Sequence, residues 1–189
     1  MLNISTPVLI ISAVSLALVS ILIWMLVRTW RRIHNSPRMV LRRIARARIS
    51  DVLLPDGMDG EIHVEHLLLT EAGILVLEFR NASGALFGGD RMDDWSVIDG
   101  KRRFTFGNPL PALETRIQSV QDLAGDVPVT GRVAVVGEVE FAGGRPDGVL
   151  RLADLDAEFS LPRGQQGSKG IPEALADTWE RLQSVARPA

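Results

Sequence analysis

The sequence predicts an α/β protein in which an N-terminal transmembrane helix precedes a domain with a mixed central sheet and flanking helices. Three observations predict it. A long apolar run without charge opens the chain. Short alternating segments joined by glycine-bearing turns follow, as strands do. Two segments with apolar residues at three- and four-residue spacing come later, and at least one lies between strands, as a crossover helix does.

No charged side chain occurs from Met1 to Val27, and Val8 to Val27 consists only of Val, Leu, Ile, Ala, Ser, Trp and Met. A helix of about twenty such residues spans about 30 Å, the hydrocarbon thickness of a bilayer. Trp24 and Trp30 lie near its C-terminal edge, where indole rings favour the interface. A cleaved signal peptide needs a basic segment first, whereas here the arginines come after the apolar run. Residues 1–27 are therefore expected to be a transmembrane anchor.

Arg28, Arg31, Arg32, Arg38, Arg42, Arg43, Arg46 and Arg48 follow at once, with no acid among them. The excess of arginine predicts a single-pass topology, with the N-terminus outside and the domain in the cytoplasm; the expected location is a bacterial inner membrane. Asn35-Ser36-Pro37 reads as a helix entry, with Ser36 as N-cap and Pro37 at the first position. An arginine-rich juxtamembrane segment is expected over 28–49, with Arg38 to Ile49 as a second helix. Arg28 to Arg48 form a collar suited to membrane lipids, each arginine contributing about 1 kcal/mol near an anionic surface. Contact with nucleic-acid phosphates is the competing reading.

The soluble body, 50–189, has the opposite charge. All 23 acidic residues lie after Ser50 and face thirteen basic ones there, a net charge near −10. Cysteine is absent, which excludes disulfides, thiolate zinc sites and cysteine nucleophiles. Strands are expected at Ile49 to Leu54, Ile62 to Leu69 and Ile74 to Arg80. Shorter ones are expected at Gly84 to Phe87, Trp95 to Ile98 and Arg102 to Phe106. Asn108-Pro109 opens a helix through Leu123, and Arg132 to Phe141 reads as one buried strand. Short elements between Val149 and Leu161, a loop from Arg163 to Gly170 and a helix from Pro172 to Val185 complete the order.

The hairpin around Thr70 to Gly73 is where chemistry concentrates. With Leu69 facing Ile74, the register sets Glu65 opposite Glu78 and His63 opposite Arg80. Alternation then places Glu61, His63, Glu65, Glu78 and Arg80 on one face, and Ile62, Val64, Leu68, Leu75, Leu77 and Phe79 on the other. Two facing carboxylates need a cation between them. Magnesium held by Glu65 and Glu78 would supply it, and so would Arg80 in an ion-pair network. His63 and His66 cannot share a zinc ion, because on a strand they point to opposite faces.

These residues resemble the nuclease-related domain family, NERD, a branch of the restriction-endonuclease-like superfamily. The resemblance rests on the acid Glu65 on one strand, entry to the next through Gly73-Ile74, and Glu78-Phe79-Arg80-Asn81 followed by Gly84. Trp95 and Asn108-Pro109-Leu110 at a helix start continue it, so that it covers roughly Ser50 to Phe141. It implies a restriction-endonuclease-like fold in which two acids hold a divalent metal and a lysine positions the water that attacks a phosphodiester. The family pattern has aspartate where Glu65 stands and lysine where Arg80 stands. A glycine-glutamate pair expected on the preceding helix is missing, and Ala112 replaces a glutamine.

Two functions follow from the resemblance. One is a membrane-held, magnesium-dependent nuclease with Glu65, Glu78 and Arg80 as its catalytic residues. The other is a degenerate nuclease fold kept as a binding or scaffold module. A third reading, drawn from the arginine helix alone, is a sensor of anionic lipid.

Overall fold

A computed structural model of the chain describes residue 16 and residues 18–27, 36–160 and 170–189. Two compact units divide the chain, Met1–Met39 and Val40–Ala189. In the first, residues 18–27 are helical with exposed side chains, and the Ser20 hydroxyl donates to the Leu16 carbonyl at 2.8 Å. No helix among the described residues is long and apolar enough to cross a membrane. Much of the expected anchor, from Met1 to Ser15, lies outside the described residues, as do Arg28, Arg31 and Arg32 of the collar and the loop from Leu161 to Lys169.

The elements run α1 (Pro37–Ile44), β1 (Ala47–Pro55), β2 (Glu61–Thr70), β3 (Gly73–Asn81), β4 (Gly84–Phe87), β5 (Asp94–Asp99), β6 (Arg102–Gly107) and α2 (Leu110–Ala124). After them come β7 (Val129–Val136), β8 (Val139–Phe141), β9 (Val149–Arg151), α3 (Leu155–Phe159), α4 (Glu173–Val185) and β10 (Arg187–Pro188). Strands β10-β1-β2-β3-β7-β9 form a six-stranded sheet, and β6-β5-β4-β8 form a second, four-stranded one. Both are mixed: β3 and β9 flank β7 in parallel, β8 runs parallel to β4, and the other pairs are antiparallel.

Each face of the larger sheet buries its own core. On one face, Leu67, Leu69, Ile74, Val76 and Val133 meet Leu113 and Val120 of α2, Trp179 and Leu182 of α4, and Leu86, Trp95 and Val97 of the second sheet. On the other, Leu68, Leu75, Leu77 and Ala134 meet Val40, Leu41 and Ile44 of α1 and Leu155 of α3. A sheet covered on both faces needs apolar residues at successive positions, which is why β3 is buried from Gly73 to Glu78.

The arginine-rich helix is shorter than expected. It ends at Ile44, and Ala47 to Ile49 belong to β1. The Arg46 amide donates to the Leu69 carbonyl at 2.8 Å, and Ala47 pairs with Leu69, so pairing with a distant strand overrides continued helix. The collar also has partners within the domain: Arg43 binds Asp156, and Arg46 binds Glu71 and, at 3.0 Å, the Gly170 carbonyl.

The expected hairpin register is observed, from Leu69↔Ile74 to His66↔Leu77, closed by the two-residue turn Glu71-Ala72. The expected faces are not. Asp51 has φ +57, and the β1–β2 ladder skips its pairing with Glu65 between Ser50↔His66 and Val52↔Val64. Side-chain parity changes across this fault, so Ile62 and Val64 join Leu67 and Leu69 on the α2 side, away from Leu68, Leu75 and Leu77.

The expected single strand from Arg132 to Phe141 is two strands in different sheets. Strands β3 and β7 pass together from the larger sheet into the smaller: Ala82 donates to Val136 O at 3.1 Å, Gly84 to Glu138 O at 2.8 Å, and β4 then pairs with β8. Gly137 turns the chain at φ +129, where a Cβ would also fall on the Ala82 carbonyl oxygen.

Candidate functional site

Strands β2 and β3 part company beyond His66↔Leu77, and a charged cluster fills the gap. At the fork the Phe79 amide, left without a ladder partner, donates to Glu65 Oε2 at 3.0 Å. Glu78, one residue earlier on β3, faces α2. Its carboxylate is 3% exposed and lies between two guanidiniums, with Arg80 Nη2 donating to Oε2 at 2.8 Å and Arg116 Nη1 3.0 Å from Oε1. The Arg116 contact lacks hydrogen-bond alignment, so Oε1 has a compensating charge but no aligned donor. Arg80 also donates to the Phe79 carbonyl at 2.9 Å and stands 4.0 Å from Glu65 Oε2.

The structure brings Glu65, Glu78 and Arg80 together, but not by the expected pairing: the ladder ends at His66↔Leu77, short of Glu65 opposite Glu78 and His63 opposite Arg80, and Arg80 links the two acids instead. Arg116 is the member that sequence reasoning missed. Helix α2 delivers it, and two polar side chains fix that helix at its ends. Asn108 Oδ1 accepts from the Leu110 amide at 2.9 Å while its Nδ2 donates to Met92 O at 2.8 Å, tying the helix start to the β4–β5 loop. Gln121 closes the other end, donating to Gly125 O and accepting from the Val129 amide. Between them Leu113, Ile117 and Val120 pack inward. Arg116 lies three residues after Leu113 and four before Val120, a charge on the margin of the apolar stripe, and that position was the available signal.

Glu61 and His63 do not join the cluster. The parity change turns them away: His63 Nε2 is 2.8 Å from Asp51 Oδ1, and Glu61 pairs with Arg187 at 3.2 Å. Only the main chain of His63 takes part, its carbonyl accepting from Arg116 Nε at 2.6 Å. His66 borders the site, with Nδ1 2.9 Å from Ser50 Oγ and its ring edge-on to Phe79. Burial pushes the His66 pKa below the usual imidazole value, with Arg48 adding to the shift and Glu65 and Asp51 opposing it.

These contacts test the expected magnesium. A hard divalent ion needs free oxygens converging from several ligands. Here one Glu78 oxygen accepts from Arg80, the other faces Arg116, and one Glu65 oxygen holds a backbone amide. Two carboxylates and two guanidiniums already balance, so a divalent ion would add two uncompensated charges. Among the described residues no three His, Asp or Glu side chains gather to hold a metal. The donors as arranged do not fit the ion. What the arrangement does chemically is neutralise a buried carboxylate and satisfy the backbone where two strands diverge.

Fold and site together define a mixed α/β domain whose central hairpin carries a charged cluster against a crossover helix. The chain belongs to the nuclease-related domain family, NERD. That family's model matches residues 38–136, just over half of the chain, from α1 to the last residue of β7. No curated protein and no solved structure matches the chain.

Proposed function

We propose that this chain is a membrane-anchored NERD-domain protein whose restriction-endonuclease-like fold serves as a binding or scaffold module without hydrolytic activity. One observation carries the reading: the Glu78 carboxylate, which the family pattern would give to a metal, is held between Arg80 and Arg116. Guanidinium stays protonated in proteins, so Arg80 cannot relay a proton from water as a tuned lysine can. The net charge near −10 on the soluble body also disfavours approach of a polyanion.

The charge-free run to Val27 and the arginines after it support the anchor, with the domain on the cytoplasmic side of a bacterial inner membrane. Exposed Arg38, Arg42 and Arg48 suit anionic headgroups, whereas Arg43 and Arg46 already bind acids of the domain. A second reading, a magnesium-dependent nuclease with Glu65 and Glu78 as ligands and Arg80 on the scissile phosphate, draws its support from Glu78 Oε1. That buried oxygen has no aligned donor.

The purified full chain is expected to leave single-stranded DNA, double-stranded DNA and RNA intact in magnesium or manganese, with rates equal to those of Glu78→Gln. Metal-dependent cleavage that disappears in Glu78→Gln would establish the nuclease instead.

A further inference from the structure

The geometry points to Arg116 as a built-in cation, standing where a divalent ion on Glu78 would stand and excluding it. This rests on the reading of the domain as a module that works without metal, and goes further by naming the group that takes the metal's place. Arg116 is the residue to which the oxygens converge. Its Nη1 lies 3.0 Å from a carboxylate oxygen of Glu78, and its Nε donates at 2.6 Å to the main-chain carbonyl of His63. A carboxylate and a backbone carbonyl are the ligand types that hard cations select. Glu65, linked to the same site through Arg80, is a second carboxylate within the cluster.

Arg80 does not play this part. It reaches Glu78 from the same strand, donates also to the Phe79 carbonyl, and its side chain is 36% exposed, so it can turn toward solvent. Arg116 comes from a helix whose two ends are fixed, and its side chain is 19% exposed. It is a positioning residue: it sets a guanidinium against the Glu78 carboxylate and joins α2 to β2 where the hairpin ladder has ended. A guanidinium 3.0 Å from the carboxylate repels an incoming divalent ion, and removing it leaves Glu78 Oε1 and the His63 carbonyl oxygen open to one.

The experiment counts Mn2+ bound to the full chain in mild detergent, by loss of the free-ion electron paramagnetic resonance signal. The wild-type chain is expected to bind no Mn2+ through Glu78. Arg116→Met is expected to bind one ion per chain, about a hundredfold or more tighter than any residual wild-type binding, and the site is expected to vanish in Arg116→Met/Glu78→Gln. Arg116→Lys, which restores a cation, is expected to bind as poorly as wild type. If Arg116→Met does not fold, Arg116→Gln takes its place, because its amide keeps a donor on the helix. Wild-type binding that is lost in Glu78→Gln would overturn both this inference and the metal-free reading. A folded Arg116→Met or Arg116→Gln chain that binds no Mn2+ would overturn the inference alone.

Discussion

Replacing Glu78 with alanine is expected to lower the unfolding free energy by about 3–5 kcal/mol, the range for removing one partner of a buried ion pair. The loss falls mainly on Arg116. Its guanidinium keeps the His63 carbonyl but loses the carboxylate that balances its charge. Arg80 contributes less, since it is more exposed and can hydrate in place. Glu78→Gln keeps the shape and one acceptor oxygen, and should lose less than Glu78→Ala. Urea unfolding of the full chain in detergent, followed by tryptophan fluorescence, measures both. A loss below about 1 kcal/mol for Glu78→Ala would mean that the cluster is a solvated surface pair.

Trp95→Ala should be comparably severe, about 3–5 kcal/mol, as for other buried aromatic truncations. Trp95 is 1% exposed and lies in the core shared by the two sheets. Its ring meets Phe106 edge-on at 6.1 Å, and its Nε1 donates to Gly89 O at 3.2 Å. The backbone of Gly88 lies so close over the ring that a Cβ there would come within 2.6 Å of it. The cavity left by truncation is therefore walled by both sheets and the β4–β5 loop, the loop that Asn108 ties to the start of α2. Loosening of that loop should also reach the helix that carries Arg116. Calorimetric unfolding checks the magnitude, and a midpoint unchanged from wild type would show that the smaller sheet packs independently.

The parts of the fold that were legible in the sequence are those set by local chemistry. Thr70 to Gly73 fix the hairpin turn, and the apolar residues on either side fix its register as far as His66↔Leu77. Asn108-Pro109 announces α2 because the asparagine side chain supplies an acceptor to the first turn. The missed features depend on distant partners. Arg38 to Ile49 has a pattern that suits a helix throughout, but pairing with β2 claims its last residues as strand. Asp51, at φ +57, lies where the β1–β2 ladder skips a pair, and the side chains of β2 that face α2 change parity there, which strict alternation along β2 does not foretell. The run from Arg132 to Phe141 looks continuous because valines fill it, and only the approach of Ala82 makes Gly137 a corner. Arg116 was passed over for the same reason: its role comes from a strand that the helix meets only in the folded chain.

The central claim is that Glu78 serves the fold through Arg116, and a double-mutant cycle in chelator-containing buffer tests it most directly. Glu78→Gln, Arg116→Met and the double variant would be unfolded in urea and compared with wild type. The account predicts a coupling of about 2 kcal/mol or more, with the double variant more stable than the sum of the single losses implies. Losses that add to within about 0.5 kcal/mol would contradict it, because the two side chains would then stabilise the domain independently.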